Sequence, residues 1–203
     1  MARAFADIAF TPSVRMIQKQ FGSADGYAKF LGPDANSGNR IGPKEAEFIA
    51  HIDGFYQASV SETGWPYVQF RGGESGFVKV LDDQTIAYAD YRGNRQYISA
   101  GNLSQRARIS LIAVDYPTQR RLKLWGEAEL LDPETNPELL ARISDGKETL
   151  ERIVKIRISA LDWNCPRHIP RRFTLDELEP QLAVMRKRLA VLESENTALK
   201  NNR

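Results

Sequence analysis

Between Phe55 and Asp162 the chain is cut into short runs of alternating polar and apolar residues, and this punctuation constrains the fold more than any other feature. The runs are Phe55–Ser61, Pro66–Phe70, Phe77–Leu81, Thr85–Asp90, Arg108–Tyr116, Arg120–Leu131 and Arg152–Asp162. Between them fall the turn signals Glu62-Thr63-Gly64, Gly72-Gly73, Asp82-Asp83 and Tyr116-Pro117-Thr118. A period of two with turn chemistry at each break predicts antiparallel strands that bury one face. Strands of that kind lose their unpaired edges by closing on themselves, so the pattern predicts a mainly β protein built on a small barrel. Helical segments are expected at Gln96–Gln105 and Pro137–Ser144, inserted between strands.

Three regions follow. Residues 1–50 read as an arm with short helices: Ser13 can cap Val14–Gln20, and Gly42-Pro43 can start Lys44–Ile52. The arm alone holds too little apolar surface to fold. Residues 51–173 form the barrel domain. In residues 174–203, Leu178, Leu182, Met185, Leu189, Leu192, Asn196 and Leu199 are spaced alternately four and three apart, the seam of a coiled coil. A parallel pair then brings Arg188 to Glu193 and Glu195 to Lys200, with Asn196 fixing the register; the commoner fate of such a helix is packing on its own barrel. Pro180 is expected at the first turn of the coil, with Thr174–Glu179 forming a separate turn before it.

With 42% apolar and 27% charged residues the 203-residue chain has an ordinary globular composition, and a net charge of +2 offers no global field for nucleic acid. No run approaches a membrane span, and the start of the chain lacks an apolar export core. The lone Cys165 has no internal partner for a disulfide, so a reducing, cytoplasmic location is expected.

Chemistry concentrates where the hairpin of Phe77–Leu81 and Thr85–Asp90 empties into Tyr91-Arg92-Gly93-Asn94-Arg95-Gln96. If Tyr97-Ile98-Ser99-Ala100 opens a helix, its free N–H groups and the positive end of its dipole face the loop, and Arg92 and Arg95 add full charges. A guanidinium matches phosphate oxygens in a fork, and Asn94 adds a neutral donor. The same Arg-Gly-Asn sequence is also ordinary turn chemistry. Strand alternation sets Lys79 between Phe77 and Leu81 on one face, where an ammonium needs an anion; most strand lysines are simply solvated. Further along, Trp163 to Phe173 gathers Arg167, His168, Arg171 and Arg172 in a loop stiffened by Pro166 and Pro170, which is poor core and good anion recognition. Cys165 and His168 make at most two metal ligands, too few for a zinc site, so no metal is expected. No paired-carboxylate motif, P-loop or dinucleotide-binding glycine fingerprint is present.

The strand ending in Lys79, the strand Ala87-Tyr88-Ala89-Asp90, Asn94-Arg95-Gln96, the strands at Arg108–Ile112 and Arg120–Ala128, and the tail from Trp163 to Arg172-Phe173 together resemble the pyridoxamine 5'-phosphate oxidase family. The resemblance is to its flavin-nucleotide-binding relatives and covers the middle two thirds of the chain. It implies a Greek-key antiparallel FMN-binding split barrel, here with peripheral helices and the C-terminal coiled-coil helix, and a homodimer holding each flavin between subunits. The implied activity is FMN-dependent oxidation or reduction of a small-molecule substrate, with no nucleic-acid or membrane partner. The alternative is a non-catalytic carrier of flavin or haem.

By the same resemblance the cofactor would meet Phe77, Val78, Lys79, Tyr88, Ala89, Asn94, Arg95, Gln96, Arg121, Trp163 and Arg172, and the substrate Lys79, Arg167 and His168. Tyr88 is nearly as natural a core residue, and Trp125 and Trp163 are each more often core than cofactor platform. Two departures stand out. Glu74 replaces an arginine usual at the start of the Lys79 strand, and Gln96 replaces a lysine usual after the loop arginine. Arg71, Arg92 or Arg121 then has to supply the missing charge; Arg121 stands where the family usually has a glutamine near the flavin ring. The tail keeps Arg167-His168 and Arg172-Phe173 but not the family's Arg-x-His order.

Overall fold

A computed structural model describes residues 2–32, 37–144, 146, 149–163 and 167–201. The strands fall on the expected runs: β1 Gly54–Val60, β2 Pro66–Gly72, β3 Lys79–Asp82, β4 Thr85–Tyr91, β5 Arg108–Asp115, β6 Arg120–Leu131 and β7 Leu150–Trp163. They form one antiparallel sheet in the order β2-β1-β5-β6-β7-β4-β3. With its peripheral helices the sheet makes a mainly β split barrel followed by a C-terminal helix.

The long strands β6 and β7 are its spine. They pair from Leu122 opposite Trp163 to Leu131 opposite Ile153, with an irregularity at Trp125/Gly126. Gly126 is required there, because a Cβ at this position would sit 2.4 Å from the Arg157 carbonyl oxygen. Inward-facing Phe55, Ile86, Tyr88, Leu122, Leu124, Val154, Ile156 and Ile158 form the main core. It is roofed by Phe48, Ile49 and Ile52 at the end of α4, Pro43–His51. Burying Phe48 alone stabilises this docking by about 1.5–3 kcal/mol. α4 starts where the sequence places it, with Pro43 in its first turn and the Gly42 N–H donating to Glu45 Oε2 at 3.0 Å. A second apolar cluster, around Ala87, Ile143 and Ile153, lies under α6, Pro137–Ile143.

The arm holds α1 (Arg3–Ala9), α2 (Pro12–Gln20) and α3 (Ala24–Ala28). α1 has no signature in the local sequence. It is held by Phe5, which stacks on Trp125 with ring centres 4.5 Å apart. α2 is capped two residues earlier than expected: the Thr11 hydroxyl, not Ser13, accepts from the Val14 N–H, and Pro12 takes the first position.

Two expectations are corrected. Phe77 lies before β3 and not in its alternation: it stacks on Phe55 at 5.7 Å and packs against the same core as Val78, while still lining a cavity with Lys79. Thr174–Glu179 is not a separate turn but the start of α7, Leu175–Asn201, which runs through Pro180. A reciprocal cap wins over the proline: Thr174 N–H donates to Glu177 Oε2 at 2.7 Å, and Glu177 N–H to the Thr174 hydroxyl at 3.2 Å. The cost is the hydrogen bond that residue 180 would have made to the Asp176 carbonyl. Among the described residues no helix is long and apolar enough to cross a membrane.

Candidate functional site

Alternation along β2 separates two surfaces. Pro66, Val68 and Phe70 point outward, while Tyr67, Gln69 and Arg71 turn toward the loop that follows β4. That loop reaches α5, Ile98–Gln105, through Tyr97, which caps the helix in the left-handed region at φ 55°. Arg95 shares that conformation at φ 61°. Two non-glycine residues with positive φ in three positions mark a backbone held by its surroundings. An Asx turn, Gln96 N–H to Asn94 Oδ1 at 3.2 Å, is part of that hold.

The result is a cavity of about 250 Å³ lined by Arg71, Asn94, Arg95, Gln96 and Arg152, among others, at the amino end of α5. Asp90 is buried beneath it and organises two of the arginines. Arg71 Nη1 donates to Asp90 Oδ1 at 2.6 Å, and Arg152 Nη1 lies 3.5 Å from Oδ2. Arg152 also donates to Glu151 Oε2 at 2.9 Å and lies over the Tyr97 ring, 5.0 Å from its centre. Tyr97 donates its hydroxyl proton to Glu151 Oε1 at 3.0 Å and accepts from Arg95 Nε at 3.1 Å. Three guanidiniums face two carboxylates, so the cavity is net positive, and the buried Nε of Arg71 has no hydrogen-bond partner among the described residues. Fixed cations and a helix amino terminus suit a phosphate group.

Lys79 lines a second cavity, of about 340 Å³, with Phe77, Ala89, Tyr91 and Arg142. Its Nζ donates to the Gly76 carbonyl at 2.6 Å. Lys79 and Arg95 are thus apart, in neighbouring cavities that share Tyr91. Val78 and Tyr88 belong to the core. Tyr88 is only 1% exposed, packs edge-on against Phe55 and donates to Gln57 Oε1. Burial pushes its phenol well above the usual tyrosine range, with the Arg71 charge acting in the opposite sense.

The remaining expected residues lie elsewhere. Arg121 sits on β6 opposite Val114, lines neither cavity, and has a buried Nε with no partner among the described residues. Trp163 donates to Glu45 Oε1 at 2.6 Å and packs edge-on against Phe48. Arg172 stacks over Tyr116 in a third cavity, of about 720 Å³, between α4, the β5–β6 turn and the start of α7. Arg167 and His168 are exposed, His168 at φ 66°, while Cys165 lies outside the described residues.

The sequence pattern does not single out Arg152, Glu151 or Tyr97. Arg152 reaches the site because β7 pairs with β4 in the register that sets it opposite Asp90, a relation that no local pattern encodes.

The family model described as Pyridoxamine 5'-phosphate oxidase matches residues 41–161, more than half of the chain, and the protein belongs to this family. No curated protein matches significantly. Among solved structures, a variant of HupZ from Group A Streptococcus superposes with a TM-score of 0.51 at 16% identity, over 61% of this chain and 99% of its own. A candidate pyridoxamine 5'-phosphate oxidase of Lactobacillus delbrueckii gives 0.48 at 20% identity, over 61% and 94%. HutZ of Vibrio cholerae, described as a haem storage protein, gives 0.40 at 16% identity, over 61% and 94%. At these identities the HupZ likeness establishes the fold.

Proposed function

We propose that the chain binds flavin mononucleotide at a site completed by a second copy of itself and acts as an FMN-dependent oxidoreductase on a small-molecule substrate. The observation that carries this reading is the convergence of Arg71, Arg95 and Arg152 on one cavity at the amino end of α5. Arg71 and Arg152 stand in for the phosphate cations that the sequence lacks at Glu74 and Gln96. The Asn94 side chain lines the same cavity and completes a cradle for the flavin's phosphate. Flavin, when bound, supplies the redox chemistry. The chain's own residues place it: Asp90 fixes Arg71 and Arg152 in advance, so little side-chain entropy is lost on binding. Lys79, held by the Gly76 carbonyl, sits where it can turn to an anionic substrate, with Arg167 and His168 as further contacts.

A homodimer is part of this reading, and size and surface support it. The cavities of Arg95 and Lys79 lie at or below the low end of the roughly 300–1,000 Å³ usual for a ligand of this class, which supports a second copy adding a further wall to them. The outer face of β1 and β2 offers the contact. Val68 is 60% and Phe70 56% exposed, beside Tyr56 and Val60 on an edge of the sheet.

The rival is a non-catalytic carrier of flavin or haem, favoured by the Asp90 and Glu151 carboxylates that offset the arginines. The test is an absorbance titration of the purified protein with FMN, followed by stopped-flow reduction with a pyridine nucleotide. Binding with fast reduction supports the oxidoreductase, binding without reduction the carrier, and no binding removes the flavin reading.

A further inference from the structure

α7 has no buried residue along its 27 positions, and among the described residues no other element packs extensively on it. Its seam nevertheless repeats as a heptad: Leu175, Leu182, Leu189 and Asn196 at a; Leu178, Met185, Leu192 and Leu199 at d. Leu189 is 56% and Leu199 69% exposed. A helix left this apolar and this uncovered lacks a partner, and its charges specify which.

We infer that α7 is a self-recognition element, pairing in parallel and in register with α7 of a second copy. Positions g and e flank the seam, and in a parallel pair each g faces the e five residues later on the partner. Arg188 then meets the second copy's Glu193, and Glu195 its Lys200, both opposite in sign, while Gln181 meets its Arg186. Asn196 selects between orientations. In a parallel pair it lies against its own counterpart, and each amide offers both donor and acceptor. In an antiparallel pair an a residue faces a d residue, and every d position here is Leu or Met, so the amide would be buried without a partner. Within a single chain Arg186 reaches back two turns to Glu179, at 2.6 Å. This pairing does not rest on the flavin reading, since it uses no residue of the cavities or of the β1–β2 face.

The test uses the full chain with Cys165→Ser, which removes its only cysteine. Leu189→Cys should close into a covalent dimer under mild oxidation, because a residues of a parallel pair stand within disulfide reach. Val184→Cys, at a c position away from the seam, should not. Leu189→Cys that stays uncrosslinked, or cross-links no faster than Val184→Cys, overturns the inference. As an independent measurement, Arg188→Glu should weaken association by about tenfold in sedimentation equilibrium. Adding Glu193→Arg should restore it; an unchanged single variant, or a double variant with no rescue, also counts against the pairing. Repeating both in the Phe70→Asp chain keeps the tail's contribution separate from any contact between barrels.

Discussion

Replacing Arg71 by Met separates the structural work of this side chain from its proposed work on a phosphate. The Arg71 side chain is 21% exposed and bonds to a nearly buried Asp90 carboxylate at 2.6 Å. Removing one partner of a buried pair costs about 3–5 kcal/mol when the other charge is stranded. Asp90 is not stranded, because Arg152 lies 3.5 Å from its second oxygen. At an effective dielectric of about 20 that pair keeps about 5 kcal/mol of gross attraction. The loss should therefore fall to about 2 kcal/mol, or about 4–8 °C in melting temperature for a chain of this size. FMN affinity should drop further in relative terms. One lost hydrogen bond to a charged group is about 1.5–3 kcal/mol, roughly 10- to 150-fold in Kd. The double variant Arg71→Met/Asp90→Asn is decisive, since removing both charges should recover part of the stability without returning affinity. Urea unfolding and FMN titration of the three proteins give the answer. If Arg71→Met loses stability yet binds FMN as the parent does, Arg71 is a strut for Asp90 and the phosphate assignment fails.

Arg95→Met should weaken FMN binding about tenfold or more while leaving the urea midpoint unchanged, because the side chain is exposed; a parallel loss of stability would contradict its assignment to ligand alone. Phe70→Asp, placed in a full chain whose α7 seam is already broken by Leu189→Asp, should shift the remaining association toward monomer in sedimentation velocity. An unchanged dimer there would remove the β1–β2 face as interface. Tyr88→Phe should flatten the alkaline limb of stability. The folded phenol titrates above its unfolded value of about 10, so its contribution is complete below about pH 10 and is lost as pH rises beyond it; equal limbs in parent and variant would refute the burial argument.

The strands are legible in the sequence because each is locally self-sufficient: a period of two and a turn at each end need no knowledge of the partner. What the sequence conceals depends on distant contacts. Phe5 is an ordinary residue of a short helix until Trp125, on β6, gives it a ring to stack on. Phe77 falls outside β3 and stacks on Phe55, a residue 22 positions earlier on β1. The start of α7 is a contest between two local signals. The Thr174 and Glu177 pair satisfies two exposed N–H groups, whereas Pro180, in the second turn of an exposed helix, removes one hydrogen bond, so the cap prevails.

The site divides along the same line. Asn94 and Arg95 can be picked out because a loop before a helix is a local arrangement, whereas Arg152 becomes a neighbour only through the β4–β7 register. The cations missing from their family positions are explained in the same way. A phosphate needs charge at a point in space, not at a position in a motif, and a sheet can deliver that charge from any strand whose register reaches the point. Arg71 from β2 hydrogen-bonds one oxygen of Asp90 and Arg152 from β7 forms an ion pair with the other, so the carboxylate that would by itself spoil an anion site is also what gathers its two cations. Asp90→Asn should therefore weaken FMN binding in an absorbance titration rather than strengthen it, although it removes a negative charge from the cavity. Tighter binding in that variant would mean that Asp90 acts only as a competing anion.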